Sequence, residues 1–519
     1  MGCSPPVRRR WLLLLFVLAT LALRTPGMLE SLWYDEVFRT HLRLNPEHVA
    51  DLLFHDVHNF LYNGVLFLWI QVFGDSEISI RLPSLLAGYL SVALFCGWLW
   101  TLRGRRVAVL TGAWLLLAPV HVWYSTEAKN NMFTVLMSVL LLVTLERLVT
   151  TGRHPWVWAA ASAVALALFT DFATLPILAA ALVCVGGSLR RSFSWQTTRR
   201  VALALGVGLS AALPLVLYKA GRAAELARPY LRRFDVTEAF LLLTNYFSTG
   251  NGVLPVNPYH PERAFAGGRL WFYGATGAVV LGLLAIGIYA CFRPGATPGA
   301  GEGDRSGRPE PWSGWLWLPL VVPLLITLAA STGVEHLWPD GGRRIYQERN
   351  LLPTLYPFCA VVLFGVLSLR RRRVRRLLVA GLLGLAVLAD GLVLTAYRDT
   401  WTVYKPNPDW RAVAHYLEAE TAGGRPPVVL ENAPSDPLSY YLTGVRRRPL
   451  RGSPLDSGSL TRLLQREGVG KVYVVSNHHW SPVASEQFSR IGPGFLAQEG
   501  FSTRGLTVYR VFRAPAAGG

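Results

Sequence analysis

Long apolar runs constrain this chain more than any other feature of its sequence. Examples are WLLLLFVLATLAL, from Trp11, and LPLVVPLLITLAA, from Leu318. A helix needs about 20 apolar residues to cross a bilayer. Of the 519 residues only 16% are charged, whereas soluble domains have about 25%. The sequence therefore predicts a polytopic α-helical membrane protein.

The apolar runs divide into about eleven candidate spans, separated by charged or Gly/Pro-rich turns. They cover 11–28, 80–101, 107–123, 132–149, 156–171, 174–189, 201–219, 271–292, 314–332, 351–369 and 377–396. With this map every arginine cluster lies on one side: 8–10, 103–106, 190–191, 199–200 and 371–376. Because short Arg-rich loops stay in the cytoplasm, we expect a cytoplasmic N-terminus and an extracytoplasmic C-terminus. The net charge of +19 thus reflects topology and does not indicate nucleic acid as a partner.

The first external segment, about 29–79, precedes the second span. Asn45 and Pro46 indicate the start of an amphipathic helix, and the apolar stretch 60–74 follows. Both are interpreted as helices lying in the membrane interface, with aromatic side chains at headgroup level: Trp33, Tyr34, Tyr62 and Trp69. The alternative for 60–74 is a true span, which would invert the topology downstream. A second external segment, about 220–270, is either a cover over a site or a connecting loop.

The tail, about 397–519, alternates helix-like and strand-like pieces. They are DWRAVAHYLEAE, PVVLEN, SDPLSYYL, LTRLLQREG, KVYVVSN and LTVYRVF. This alternation predicts a small extracytoplasmic α/β domain of ordinary size. The predicted domains are therefore 1–396, which is transmembrane, and 397–519. We expect the tail to be separable from any chemistry of the membrane domain.

Four external or near-external stretches hold ionisable and amide side chains near the ends of predicted spans. They are WYDEVFRT (Asp35, Glu36, Arg39), FHDVHNFLY (His55, Asp56, His58), WYSTEAKNN (Glu127, Lys129, Asn130, Asn131) and YQERNLLPTLYP (Glu348, Arg349). Charged groups at membrane depth are costly and usually face a cavity. Each stretch alone is more typical of a loop or a snorkelling side chain. Together, on one side, they predict a site that handles a phosphate and moves a proton.

Several of these stretches resemble one known family over essentially the whole chain. They are the DE pair after the first span, DVHNFLY, FGDSEISIRLPSLLAG, LAPVHVWYSTEAKNNMF and RNLLPTLYP. The pattern is similar to that of the polytopic GT-C fold glycosyltransferases, specifically the glycosyltransferase family 39 group. That group includes protein O-mannosyltransferases and the aminoarabinose transferases of lipid A. Asn59 and Phe60 replace the usual proline pair. Lys129 stands where the family often has arginine; the lysine keeps the positive charge but cannot bind a phosphate in the bidentate way that arginine can.

The resemblance implies an enzyme that moves a sugar from a polyprenyl-phosphate carrier to an acceptor at the outer face of a bacterial plasma membrane. Asp35 would be the general base, with Glu36 orienting the site or helping to bind a metal. Lys129 and Arg349 would bind the donor phosphate. Asp56, His58 and Glu127 would shape the pocket.

The resemblance leaves the sugar, a hexose or a pentose with mannose favoured, and the acceptor (protein, lipid or glycan) open. No cofactor is implied with certainty, and a carboxylate-bound divalent metal is compatible with the residues. One alternative function is a transporter or flippase of lipid-linked sugars, although no internal repeat favours it. Another is a polymerase or ligase of surface polysaccharide, which shares the lipid-linked donor.

Overall fold

The computed structural model describes residues 5–40, 59–222, 236–250, 269–292, 312–337, 349–395, 407–422, 427–431, 437–442, 446–449, 457–477 and 494–514. Contacts divide the chain into two compact units. Met1–Met28, Leu44–Thr395 and Thr402–Tyr404 form the helical unit. Leu29–Arg43, Ala396–Trp401 and Lys405–Gly519 form the mixed unit. The segment after the first helix therefore groups with the tail, which the sequence did not indicate. The predicted boundary at 396/397 stays a prediction.

Helices make up most of the described chain. In order they are α1 (Pro5–Met28), α2 (Tyr34–Thr40), α3 (Phe60–Phe73), α4 (Glu77–Arg103), α5 (Arg105–Leu117), α6 (Pro119–Ser125), α7 (Asn131–Thr151), α8 (Pro155–Thr170), α9 (Leu175–Arg191), α10 (Trp195–Arg222), α11 (Val236–Leu241), α12 (Phe247–Thr249), α13 (Arg269–Phe292), α14 (Gly314–Leu337), α15 (Leu355–Ser368), α16 (Arg372–Thr395), α17 (Trp410–Glu420), α18 (Leu438–Tyr441) and α19 (Ser457–Glu467). Short 3-10 turns precede α9 (Phe172–Thr174) and α15 (Leu352–Thr354), and a π turn (Leu242–Tyr246) joins α11 to α12.

All eleven predicted spans coincide with helices of the helical unit. Within the described residues, six helices are long and apolar enough to cross a membrane: Glu77–Arg103, Asn131–Thr151, Phe172–Arg191, Trp195–Tyr218, Tyr273–Phe292 and Gly314–Ser331. The bent pair α5 and α6 makes a seventh if it is one span. The predicted class, a multi-pass helical membrane protein with a small α/β domain, is confirmed. The count of eleven crossings stays a prediction.

The predicted span 107–123 is not straight. It consists of α5 and α6, which meet at an angle of 63°. Pro119 has no N–H to donate to the preceding turn and disfavours helical geometry in the residue before it. Ala118 accordingly adopts an extended conformation (φ −69°, ψ 123°). The predicted span is thus a bent pair of helices, because Pro119 ends one helix and begins the next.

The helix α3 corresponds to the predicted interfacial helix at 60–74. With 14 residues it is shorter than the roughly 20 residues that a span requires. Tyr62, expected at headgroup level, is fully buried and packs edge-on against Phe133 of α7, with ring centroids 5.2 Å apart. The side of α3 that carries Tyr62 therefore faces protein. The other predicted interfacial helix, beginning at Asn45, lies outside the described residues.

Small residues allow two helices of the helical unit to approach closely. A Cβ atom on Gly365 of α15 would lie 2.6 Å from the backbone nitrogen of Gly287 of α13, and one on Gly287 would clash with the Val361 carbonyl. Glycine is enriched at such membrane-helix crossings because it lets backbones touch. These two glycines therefore set the distance between α13 and α15.

The tail contains a five-stranded sheet in the order β2-β1-β3-β5-β4. Its strands are β1 (Val428–Glu431), β2 (Arg446–Pro449), β3 (Lys471–Asn477), β4 (Phe495–Thr503) and β5 (Leu506–Arg513). The strand β1 pairs in parallel with β2 and β3, whereas β5 pairs antiparallel with β3 and β4. Gly505, at φ 76°, provides the left-handed residue that the tight β4–β5 turn requires.

Helices cover both faces of this sheet. Side chains alternate along a strand, so Tyr473 and Val475 of β3 pack with α17 on one face. Val472 and Val474 pack with α19 on the other. All six tail segments predicted as helix or strand are observed as such. The strands β2 and β4 were not predicted, because RRRP and LAQEGFST have too few apolar residues to signal a strand.

Candidate active site

The turn between α6 and α7, residues 126–130, holds two predicted site residues, Glu127 and Lys129. The Lys129 N–H donates to the Glu127 carbonyl (2.8 Å). The hydroxyl of Ser84 donates to the Lys129 carbonyl (3.0 Å). Ser84 is fully buried, so this bond attaches the turn to α4. Lys129 is partly exposed, and its ammonium can therefore reach a bound anion.

Glu127 is buried beside this lysine, at 8% exposure. The indole N–H of Trp123, one helical turn earlier, donates to Glu127 Oε1 (2.8 Å). A buried carboxylate is costly unless hydrogen bonds replace the lost water. The bond from Trp123 fixes the direction of the Glu127 side chain, which suits a residue that shapes a pocket.

Asp171, which was not among the predicted site residues, contacts the same turn. Its Oδ2 accepts a hydrogen bond from the side-chain amide of Asn130 (2.8 Å). Its Oδ1 accepts from the Ala173 N–H (2.9 Å) and so caps the 3-10 turn before α9. The sequence signal was FTDFATLP, where an Asp interrupts two apolar stretches at the position of a cap.

A buried arginine, Arg24 of α1, lies at the bend between α5 and α6. Its Nη2 donates to the Leu116 carbonyl (3.0 Å) and its Nε to the Ser125 hydroxyl (2.8 Å). Its Nη1 donates to the Thr20 carbonyl (2.8 Å). The last carbonyls of a helix lack intrahelical donors. Arg24 therefore satisfies a carbonyl at the end of α5 and ties α1 to both halves of the bent pair.

The network continues from Arg24 across the helical unit. His121 Nδ1 lies 2.9 Å from Arg24 Nη2, and its Nε2 lies 3.0 Å from the Tyr356 hydroxyl. That hydroxyl lies 2.6 Å from Ser91 Oγ. Asp390 of α16 is 2% exposed and interacts electrostatically with Arg24. A buried, hydrogen-bonded network thus joins α1, α4, α6 and α15 next to the 126–130 turn.

Arg81, in the RLPS motif, holds the end of α1. It is fully buried, and its Nη1 donates to the carbonyls of Gly27 (3.0 Å) and Met28 (3.2 Å). A cation at these terminal carbonyls is favoured by the helix dipole. Arg81 is therefore a cap for α1.

Arg349 is exposed at the start of the late RNLLP motif. Its carbonyl accepts from the Leu352 N–H (3.4 Å). The 3-10 turn Leu352–Thr354 packs against α7, the helix that begins after Lys129. Lys129 and Arg349, the two predicted phosphate ligands, thus lie just before α7 and the 3-10 turn, which contact each other.

The predicted carboxylates lie in the mixed unit, on α2. The Glu36 and Val37 N–H groups donate to the Trp33 carbonyl (3.0 and 3.1 Å), and the Trp33 N–H donates to Glu36 Oε2 (3.3 Å). Glutamate in the third helical position commonly reaches back to cap the helix in this way. Glu36 is fully buried, whereas Asp35 is partly exposed. Arg39 Nη1 donates to the Asp35 carbonyl (3.2 Å).

Several predicted residues lie outside the described part of the chain: His55, Asp56, His58 and Glu348. Among the described residues, no group of three or more His, Cys, Asp or Glu side chains is arranged to hold a metal ion. Asp35 and Glu36 belong to the mixed unit, and Glu127, Lys129 and Arg349 to the helical unit.

Comparison with known proteins gives one family match and several structural likenesses. The family model described as dolichyl-phosphate-mannose-protein mannosyltransferase matches residues 58–218. ArnT from Cupriavidus metallidurans is similar in its apo state, at 14% identity and a TM-score of 0.47, over 97% of this chain and 98% of that one. Its structure bound to undecaprenyl phosphate is similar at 13% identity and a TM-score of 0.44, over 96% of this chain and 97% of that one. The Archaeoglobus fulgidus oligosaccharyltransferase is similar at 12% identity and a TM-score of 0.48, over 89% of this chain and 67% of that one.

No curated protein matches the sequence significantly. The family match covers the α3–α4 region, the bent pair and the 126–130 turn, which hold Arg81 and Lys129. Of the five stretches on which the resemblance was based, FGDSEISIRLPSLLAG and LAPVHVWYSTEAKNNMF lie within this range and DVHNFLY in part, whereas the DE pair and RNLLPTLYP lie outside it. The predicted resemblance is confirmed, and the chain is a multi-pass membrane protein that carries, over residues 58–218, the pattern of a glycosyltransferase family.

Proposed function

We propose that this protein moves a sugar from a polyprenyl-phosphate carrier to an acceptor at the extracytoplasmic face of a bacterial plasma membrane. The family match over residues 58–218 carries the proposal. That family's description contains a lipid-phosphate sugar donor and a mannosyl group. A mannosyl-type transfer is therefore the first to test.

The chemistry uses one base and one cationic site. Asp35, partly exposed on α2, takes the proton of the acceptor hydroxyl while that oxygen bonds to the anomeric carbon of the sugar. The bond from that carbon to the phosphate oxygen breaks, and the phosphate leaves on its lipid. Lys129 and Arg349 stabilise the charge that develops on the leaving phosphate. Glu36 orients the site, and Asp56, His58 and Glu127 shape the pocket.

The proposal includes the topology and the domain division. The N-terminus lies in the cytoplasm, residues 1–396 form the catalytic membrane domain, and residues 397–519 are extracytoplasmic. The arginine clusters of the short loops support this orientation. Arg103, for example, lies at the end of α4. Lys129 lies in the turn before α7, at the opposite end of the predicted span 107–123.

The experiment uses the full-length protein in lipid nanodiscs with radiolabelled polyprenyl-phosphate mannose. Incubation with membrane extracts as the source of acceptor should move the label from the carrier to a product. Asp35→Asn should reduce transfer by at least about a hundredfold, as the loss of a general base does. Lys129→Met should raise the KM for the donor and lower kcat, whereas Lys129→Arg keeps the charge and should retain part of the activity.

Two results would contradict the proposal. Transfer by Asp35→Asn at the wild-type rate would place the base elsewhere. Movement of the labelled lipid across the bilayer without any transfer would indicate a flippase. A panel of other polyprenyl-phosphate hexoses and pentoses distinguishes an unsuitable donor from an inactive protein.

A further inference from the structure

The segment Leu29–Trp33, which leads into α2, is held by the C-terminal tail. Four of its residues, 29–32, form hydrogen bonds with tail residues about 400 positions later in the chain. The Leu32 N–H donates to the Tyr441 hydroxyl (2.6 Å). The Ser31 carbonyl accepts from the side-chain amide of Asn407 (3.1 Å). The Ser31 hydroxyl accepts from the Arg411 N–H (3.0 Å).

Glu30 and Leu29 extend these contacts. Glu30 Oε2 accepts from the Asn407 N–H (3.0 Å), and Arg504 lies 3.9 Å from Glu30 Oε1. The Leu29 carbonyl accepts from Arg411 Nη2 (3.1 Å). Most of these bonds involve backbone groups of the segment. They therefore fix the path of its main chain and not only its side chains.

The tail residues that make these contacts are themselves fixed within the mixed unit. The Arg504 Nε donates to the Asn407 carbonyl (2.9 Å), and the Asp409 N–H donates to the Arg504 carbonyl (3.0 Å). Asp409 also caps α17 through its side chain, which accepts from the Ala412 N–H (3.1 Å). Asn407 and Arg411 thus lie at the N-terminal end of α17, which these hydrogen bonds fix, and are suited to hold the segment 29–33.

The held segment ends where α2 begins. Trp33 caps α2: its N–H donates to the Glu36 carboxylate, and its carbonyl accepts from the Glu36 N–H. Leu32, directly before it, is fully buried. Asp35 is the second residue of the helix. Displacement of the backbone at 31–33 would therefore displace the start of α2 together with the Asp35 carboxylate.

We propose that the C-terminal domain is a positioning element for the catalytic carboxylate, with Asn407, Arg411 and Tyr441 as positioning residues that act through the 29–33 backbone. This inference rests on the proposed role of Asp35 as base. It replaces the expectation that the tail is separable from the chemistry. Deletion of residues 405–519 should lower kcat as well as weaken acceptor use.

The first test removes one hydrogen bond and keeps the ring. Tyr441→Phe deletes the oxygen that accepts from Leu32, and Tyr416→Phe is the matched control in the same domain. Tyr416 stacks on Phe501 (centroids 5.0 Å apart), and its hydroxyl has no hydrogen-bond partner in the part of the chain that the structure describes. Tyr441→Phe should lower kcat about tenfold, because small displacements of a catalytic group are costly, with the donor KM unchanged. Tyr416→Phe should leave both constants unchanged.

A purely structural role for Tyr441 makes a different prediction. If Tyr441 acts through Asp35, Tyr441→Phe should add no further loss in an Asp35→Asn background, because residues that act as a unit are not additive. Equal losses in both backgrounds would overturn the proposal. Wild-type kcat in both Tyr441→Phe and Asn407→Ala would overturn it as well.

A second readout does not depend on activity. Amide hydrogen exchange in the peptide 29–36 of the full-length protein should be slow in the wild type, faster in Tyr441→Phe and unchanged in Tyr416→Phe. Unchanged exchange in Tyr441→Phe would overturn the docking itself. If no sugar transfer is found and exchange still rises, the proposed function fails while the docking stands. The two failures are therefore distinguishable.

Discussion

Glu36 has an observed structural role beside its proposed functional one. It is fully buried and bonds to the Trp33 N–H at the start of α2. Glutamine can make the same bond through its amide oxygen, but it lacks the negative charge that a carboxylate brings to a divalent metal. Substitution by glutamine or alanine therefore separates the cap from the charge.

At the scale of the residue, we expect Glu36→Gln to remain folded with most of its activity. Glu36→Ala should destabilise the start of α2 by about 1 kcal/mol, the usual effect of losing a helix cap. Hydrogen exchange of peptide 33–40 measures the helix, and sugar transfer measures the function. A folded Glu36→Gln variant without activity would show that the charge is required, as in a metal-binding carboxylate.

At the scale of the element, Arg24 ties together the two halves of the bent pair α5 and α6, and Asp390 interacts electrostatically with Arg24. We expect Arg24→Met to destabilise the protein by about 3 kcal/mol, because it leaves the buried Leu116 carbonyl and Ser125 hydroxyl without their donor. Asp390 Oδ2 already lacks a hydrogen-bond partner among the described residues. The double variant Arg24→Met, Asp390→Leu should recover part of the loss. Thermal unfolding in nanodiscs measures both.

Arg153, exposed at the turn before α8, provides the control for Arg24. Arg153→Met should change stability by less than about 0.5 kcal/mol, as surface substitutions usually do. If Arg24→Met were equally mild, the network would not be important for the bend. If the double variant were less stable than Arg24→Met, the two charges would not be coupled as described.

Glu420 of α17 and Lys471 of β3 join two other elements, with Lys471 Nζ 2.8 Å from Glu420 Oε2. The hydrogen bond from Lys471 lowers the pKa of Glu420 below its ordinary value. A carboxyl group whose pKa is lower in the folded state stabilises the protein at pH values above its unfolded pKa, which is about 4.3 for Glu. This contribution disappears as the pH falls through the folded pKa.

We therefore expect Glu420→Gln to lower the stability of the tail by up to about 1 kcal/mol at pH 7, the usual range for a partly exposed pair. The difference should shrink once the pH falls below about 4.3, the unfolded pKa of Glu, and vanish at a pH below the folded pKa. Glu418, half exposed beside His415, provides the control Glu418→Gln. Thermal unfolding followed by a label on the tail checks the pH dependence; a constant difference across this range would contradict it.

At the scale of the whole molecule, the orientation in the membrane is the prediction on which the mechanism depends. A cysteine introduced at Gly452 should be labelled in intact cells by a membrane-impermeant thiol reagent, and one at Gly303 should be labelled only after lysis. Loops rich in arginine remain inside, which is the physical reason. The reverse labelling pattern would place the proposed site in the cytoplasm.

The sequence predicted the features of this molecule that have a local pattern. The spans 80–101 and 132–149 correspond to Glu77–Arg103 and Asn131–Thr151, because apolar length alone defines a membrane helix. The bend at Ala118 had a signal in Pro119, which hydropathy does not weigh. Asp171 and the Arg24 network had weaker signals, since a buried polar pair is recognisable only when both partners are known. The contact of segment 29–33 with the tail has no local signal at all.

On the proposed role of Asp35, that last contact also determines when the protein can become active. Leu32 and Tyr441 are 409 residues apart, so at about 5–20 residues per second the ribosome needs roughly 20 to 80 seconds to reach the second after the first. Throughout that time the nascent membrane helices can insert, but the segment 29–33 that leads into α2 and Asp35 has no tail to hold it. Completion of synthesis and folding of the last domain would therefore act as a maturation step, and a truncated chain would be inserted in the membrane with a site of lower kcat.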